Sequence, residues 1–139
     1  MFKKWNLLKF RCFKKPKRIK KCNKNFTLNI GSFGLIGCEF GIIFVCQLEA
    51  VNLFLKKNIK KFPGGFFYFN LLPNFSLSKK PLESRMGKGK GGFLENAIYV
   101  SPGRILVEIK GISKKKSFFL LQQIAKKFSL KVKIISLFL

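Results

Sequence analysis

The residue types best suited to chemistry lie together in Arg85-Met86-Gly87-Lys88-Gly89-Lys90-Gly91-Gly92. Alternating glycines let a backbone approach phosphate groups closely, and each intervening ammonium is free to meet its own anion. That is chemistry of recognition rather than of bond breaking. Gly87, Gly89 and Gly92 also satisfy the spacing of a dinucleotide-binding fingerprint. The fingerprint needs a strand before it and a helix after it, whereas here a proline-rich stretch precedes and a strand-like segment follows. A nucleotide P-loop fails too, because no Gly-Lys is followed by Ser or Thr. The plain alternative is a solvated basic loop.

Charge points the same way. The 139 residues hold 29 Lys+Arg, 5 Asp+Glu and no histidine, for a formal charge of +24. So much positive charge on a small body destabilises its compact state unless something anionic neutralises it, which implies a polyanionic partner. The five acids, Glu39, Glu49, Glu83, Glu95 and Glu108, are scattered, and there is no aspartate. No carboxylate pair or histidine is therefore offered for acid–base catalysis, so neither an enzyme nor a cofactor is expected. Cys12, Cys22, Cys38 and Cys46 lack the close spacing and the histidines of a zinc ribbon, so no metal is expected. They read as buried or incidental thiols rather than a disulfide framework.

The composition carries a second skew, with 25 Lys to 4 Arg and 18 Phe. Lys, Phe, Asn and Ile have A/T-rich codons, so the skew reads as an AT-rich coding genome such as an organelle's. The first eleven residues are interrupted by charge too often for a signal peptide, and are poor in Ser and Arg for a transit peptide. Synthesis inside the organelle is the expectation. The uncharged runs 25–38 and 62–78 fall short of the ~20 apolar residues of a membrane helix. A rival reading is a cationic membrane-surface protein, with Lys, Phe, Trp and Leu of residues 1–15 settling on anionic lipid.

Positioning the Gly/Lys stretch requires a folded body, and the pattern predicts one. Residues 1–24 hold eleven Lys/Arg and no acid, and read as a basic arm. Residues 25–139 read as a single domain large enough for one core. Phe26, Leu28 and Ile30 alternate as a strand does, with bends at Gly31, Gly34 and Gly37. Leu48, Val51, Leu55 and Ile59 predict an amphipathic helix over Val45–Lys61. A strand follows at Gly65–Leu72, its run Phe66–Phe69 reading as core rather than as a base-stacking platform. Residues 73–94 read as a long loop. Ala97–Ser101 and Arg104–Lys110 flank the turn residues Pro102-Gly103 as a hairpin. A second helix is predicted over Lys114–Phe128, capped by Ser113, and a strand over Leu130–Leu137. The sum is an α+β fold: two helices on one face of a largely antiparallel or mixed sheet, with a basic N-terminal arm and a long Gly/Lys loop.

Lys80-Pro81-Leu82-Glu83-Ser84-Arg85-Met86-Gly87-Lys88-Gly89-Lys90-Gly91, followed by Pro102-Gly103-Arg104-Ile105-Leu106-Val107-Glu108, resembles the large-subunit ribosomal protein L-sixteen family of bacteria and organelles. Gly31-Ser32-Phe33-Gly34-Leu35, Gln47-Leu48-Glu49-Ala50 and Pro16-Lys17-Arg18 extend the likeness to about residues 16–137. The resemblance implies an rRNA-bound protein near the base of the central protuberance. Its loop would reach toward the A site and the peptidyl-transferase region, supporting tRNA positioning and subunit assembly. The implied partners are large-subunit rRNA, A-site tRNA and neighbouring ribosomal proteins, with neither a membrane nor a second copy of the chain.

On this resemblance Arg85, Lys88 and Lys90 face RNA, with Met86, Gly87, Gly89 and Gly91 completing the loop, and Lys17 and Arg18 take the roles of the basic amino-terminal segment. The candidate rRNA-binding set is Lys14, Lys15, Lys17, Arg18, Lys20, Lys21, Lys24, Lys79, Lys80 and Arg104. Arg85 and Arg104 stand out, since a planar fork kept in so lysine-rich a chain suggests a bidentate or stacked contact. The first helix is typically arginine-rich in the family, but here reads Val45-Cys46-Gln47-Leu48-Glu49-Ala50-Val51-Asn52-Leu53-Phe54-Leu55, so its usual RNA contacts are expected to be missing or replaced by protein. The coding skew makes a mitochondrion, encoding its own version, the expected site, with a plastid second.

Overall fold

The structure, a computed structural model, describes residues 27–73, 75–87 and 89–137. The arm expected at 1–24, with its candidate lysines and Arg18, lies outside the described residues, as do Cys12, Cys22, Phe26 and Lys88.

Among the described residues, seven strands and two helices follow one another as β1 (Phe33–Gly37), β2 (Gly41–Phe44), α1 (Val45–Ile59), β3 (Phe66–Phe69), β4 (Phe75–Lys79), β5 (Gly92–Val100), β6 (Ile105–Lys110), α2 (Lys114–Ala125) and β7 (Val132–Ser136). The strands form two sheets, one ordered β3-β6-β1-β7 and the other β2-β5-β4. Every pairing is antiparallel. Helix α1 packs on β2 and β5 of the smaller sheet and on β3 of the larger, while α2 packs on β1 and β7. The α+β class holds, with the strands divided between two sheets.

Both helices form where the apolar spacing puts them. In α1 the stripe Leu48, Val51, Leu55 and Ile59 is buried, and Lys56 and Lys57 meet the negative end of the helix dipole. Its amino end has no Ser, Thr, Asn or Asp to satisfy the first amides. Instead the Glu95 carboxylate of β5 accepts from Cys46 N–H at 2.7 Å, and Gln47 Oε1 accepts from Phe44 N–H at 3.2 Å. In α2 the buried residues are Ser117, Leu120, Leu121 and Ile124. Ser113 stands at the N-cap position but makes no side-chain cap bond, and Phe128 is buried just beyond the helix.

Three expectations need correction. No strand covers 27–30. Leu28 is buried over Gly34, Ile30 is exposed, and the amides of Ile30 and Gly31 donate to a side chain instead of a neighbouring strand. Residues 73–94 are not one loop, because β4 and the first residues of β5 pair within them, leaving 80–91 as the loop proper. Lastly, Ala97–Ser101 and Arg104–Lys110 are not paired as a hairpin. The turn forms as expected, with Arg104 N–H donating to Ser101 O at 3.2 Å and Gly103 at φ +82°. The flanking strands nonetheless enter different sheets, since β5 pairs with β2 and β4, and β6 with β1 and β3. The end of β1 takes the place a hairpin partner would hold, with Gly103 N–H donating to Gly37 O at 2.7 Å and Gly37 N–H to Arg104 O at 3.0 Å.

Candidate nucleic-acid interface

The Gly/Lys stretch is the tip of the β4–β5 hairpin. Its ladder ends at the rungs Ser78↔Phe93 and Lys79↔Gly92, beyond which residues 80–91 form a finger. Phe75 anchors the other end of that ladder, its buried ring stacked on Tyr99 of β5 with centroids 3.9 Å apart and planes 14° from parallel. Along the finger, residues 81–87, 89 and 90 are exposed, Met86 almost completely at 99%. Arg85 and Lys90 are thus presented to solvent by backbone alone. A small turn starts the finger, where Ser84 donates to Pro81 O from both its amide, at 3.2 Å, and its hydroxyl, at 2.9 Å.

The glycines serve two physical ends. Gly87 and Gly89 hold φ of +97° and +74°, with open space where a Cβ would stand, so their requirement is conformational. Gly91 is steric, because a Cβ there would lie 2.6 Å from the carbonyl carbon and oxygen of Lys79 and 2.8 Å from Lys80 N. Those are backbone atoms and cannot swing aside. Gly91→Ala is therefore expected to force the root apart at a cost of about 1–3 kcal/mol. Urea denaturation checks this, with faster amide exchange across Ser78 and Phe93 as the local sign. Gly92→Ala, where the new methyl meets nothing within 4 Å, is the control and should stay near wild type.

The other candidates are distributed differently. Lys79 and Lys80 stand at the finger root, the first exposed and the second half-buried. Arg104 lies at the seam between the sheets, where Nη1 donates to Tyr99 O at 3.2 Å and Nη2 to Asn70 O at 3.5 Å. Burial lowers its pKa from the ordinary guanidinium value. Its planar fork is engaged by the protein's own carbonyls.

Glu108 carries a role that the spacing of residues did not reveal. It is only 1% exposed, and its carboxylate accepts from Ile30 N–H at 2.8 Å, Gly31 N–H at 2.7 Å and Asn70 Nδ2 at 2.7 Å. Burial pushes its pKa up, but the bonds from Gly31, Ile30, Asn70 and Asn29 outweigh that and hold it below the usual carboxylate value. The signal available was an acid set amid the apolar run of a strand, in a chain with five acids in all.

The few acids serve the backbone, while the excess of 29 Lys+Arg over 5 acids leaves the chain at +24. Glu39, Glu95 and Glu108 all accept backbone amides, from Lys131, from Cys46, and from Ile30 and Gly31. Lys114, Lys115 and Lys116 meanwhile crowd the positive end of the α2 dipole with no acid in the first turn. Lys116 does find the Phe62 ring, 4.8 Å from its centroid. Cys38 is half-buried and Cys46 exposed, both as free thiols. Partial burial and the adjacent Glu95 carboxylate push the Cys46 thiol up, away from reactive thiolate. Among the described residues, no helix is long and apolar enough to cross a membrane, and no His/Cys/Asp/Glu cluster could hold a metal ion.

A family model described as "Ribosomal protein L16p/L10e" matches residues 8–135. The chain is also 38% identical over 120 residues, 86% of each partner, to the large ribosomal subunit protein uL16 of Maricaulis maris.

Proposed function

The chain belongs to the L16p/L10e family of ribosomal proteins and is a structural constituent of the large ribosomal subunit, and from that premise we propose that its finger is the part that meets functional RNA. The observation that carries this reading is the pairing of exposed cations with a closely packed root. Arg85 and Lys90 are exposed, while the β4–β5 ladder and the close backbone approach of Gly91 to Lys79 and Lys80 hold the finger's root together. A cationic finger without a partner would only add to the self-repulsion of the chain. Set among phosphates, its ammonium and guanidinium groups each release condensed counterions.

In this reading the body binds large-subunit rRNA, with Lys79, Lys80 and the basic amino-terminal segment contributing contacts. The finger reaches toward the A site and the peptidyl-transferase region, where it supports tRNA positioning and late subunit assembly. Chemistry there belongs to the RNA, and this chain supplies position and charge. The Lys over Arg skew and the 18 Phe support a mitochondrial ribosome encoded within the organelle, with a plastid as second choice.

The decisive experiment is sedimentation. Tagged chain should co-sediment with the large subunit of mitochondria after a high-salt wash, and free chain should bind large-subunit rRNA with an affinity that falls steeply as salt rises. Recovery with liposomes in a flotation assay, and absence from ribosomal fractions, would sink the reading.

A further inference from the structure

We propose that the free edge of β3 receives an acidic, extended segment of a neighbouring large-subunit protein, which joins the four-stranded sheet as a fifth strand. The proposal rests on the chain's place in the large subunit and is independent of what the finger touches. Strand β3 ends the order β3-β6-β1-β7, so it is paired on one side alone. Asn70 N–H donates to Leu106 O across the β3–β6 ladder, and alternate residues of an antiparallel strand direct their backbone groups to the same side. Phe66 and Tyr68 therefore bond toward β6, and the amides and carbonyls of Phe67 and Phe69 point outward from the edge. The side chains divide between the two faces of the sheet. Phe67 and Phe69 pack on the core, whereas Phe66 is 56% and Tyr68 44% exposed on the opposite face.

Sheet edges are normally guarded by charge, proline, a bulge, a cover or short length. Among the described residues, β4 and β7 carry Lys79 and Lys133. Strand β2 is covered, where Ser129 Oγ donates to Ile42 O at 3.3 Å and Leu130 fills the space beside Gly41. Strand β3 reads Phe66-Phe67-Tyr68-Phe69, and its four-residue length is its one protection. Charge selects the occupant. Lys110 stands opposite Phe66 in the register and on the same face, and Lys60 and Lys61 shortly precede the strand, all three exposed. A second copy of the chain would bring another +24 to that edge, which opposes pairing of β3 with itself. RNA offers no alternating amides and carbonyls to answer those of Phe67 and Phe69, and β3 itself holds no cation. An extended protein segment meets every demand. Its backbone pairs about 4.8 Å from β3, its apolar side chains cover Phe66 and Tyr68, and its acids reach the lysines.

The test is residue-resolved amide exchange, read by mass spectrometry on the full chain alone and on the same chain in purified large subunits. In the free chain the amides of Phe67 and Phe69 should exchange quickly and that of Tyr68, bonded to β6, slowly. In the subunit both edge amides should slow by about tenfold or more. The photo-crosslinker p-benzoylphenylalanine, placed at position 66 of the assembled chain, should join one segment of another protein in which apolar and acidic residues alternate. Lys110→Glu should remove most of the protection in subunits, and Lys110→Arg should keep it. Lys110 is exposed, so neither change disturbs the core, which thermal unfolding verifies. Edge amides that exchange in the subunit as fast as in the free chain would overturn the added strand while leaving the ribosomal reading in place. A crosslink to rRNA, to a second copy or to the chain's own residues would overturn it equally, as would protection indifferent to Lys110→Glu.

Discussion

Glu108→Ala is expected to cost about 3–5 kcal/mol of folding stability, a large share of the roughly 5–15 kcal/mol available to a domain of this size. The effect comes from what the substitution leaves behind. The amides of Ile30 and Gly31 and the Asn70 carboxamide now meet the carboxylate at 2.7–2.8 Å, and each would lose its acceptor at a cost of about 1–3 kcal/mol. Gly31 cannot move closer to another acceptor cheaply, because the space beside its Cα is filled by Glu108 Cβ and the backbone of Ile109, with room only for hydrogen. Glu108→Gln keeps the shape but loses the charge-assisted character of the bonds, so a smaller loss is expected. Urea midpoints rank the three proteins.

The acid limb of stability supplies a second readout of the same interaction. Glu108 has its pKa lowered in the folded protein, so its stabilising contribution is fully present above the unfolded value near 4.5 and is lost as pH falls through the folded value. The wild type should therefore lose more stability on acidification than Glu108→Gln does. Protonating the remaining carboxylates increases the positive charge in both proteins, so that common term cancels in the comparison. No histidine adds a transition of its own. Parallel pH curves for the two proteins would show that Glu108 does not carry the linkage.

The helices were legible because a stripe at three- and four-residue spacing is a local property. Leu48, Val51, Leu55 and Ile59 can be read as one face without knowing what covers them, and all four are buried. Strand pairing is not local. Phe26, Leu28 and Ile30 alternate as a strand would, yet the amides at 30 and 31 are claimed by Glu108, 77 to 78 positions away in the chain. Nothing in their own neighbourhood shows that. The Pro102-Gly103 turn is readable for the same reason that the helices are, but its flanking strands part because the chain at Gly37, far off in the sequence, competes for the same hydrogen bonds. Strand β4 hides in a stretch punctuated by Pro73 and Pro81, where it pairs with β5 and stacks Phe75 on Tyr99 without an apolar period of its own. The finger residues are visible as a motif, but the difference between Gly87, needed for its φ, and Gly91, needed for its lack of a Cβ, is visible only once Lys79 is placed behind it.

Converting Arg85, Lys88 and Lys90 together to Gln is expected to leave the fold almost untouched and to remove most of the finger's function. Arg85 and Lys90 are exposed, and surface changes of this kind usually stay within about 0.5 kcal/mol, so the melting temperature should barely move. RNA binding should respond strongly. Removing one cation from a phosphate lowers the slope of log affinity against log salt by about 0.7–0.9, so the triple variant should lose roughly two units of slope or more. Arg85→Ala alone should lose about one unit or less by the same rule, and should delay large-subunit maturation or tRNA accommodation more than its stability predicts. A matched triple change at Lys114, Lys115 and Lys116 separates site from charge. It removes the same number of cations, and it relieves the adverse dipole at the start of α2, so stability should rise by about 0.3–1 kcal/mol for each of Lys114 and Lys115 at low salt, while loss of the Lys116 contact with the Phe62 ring offsets the gain at the third position. If the finger is the part that meets functional RNA, the α2 variant assembles into working subunits and the finger variant does not. Equal translation by both would mean that the Gly/Lys stretch contributes charge and nothing more.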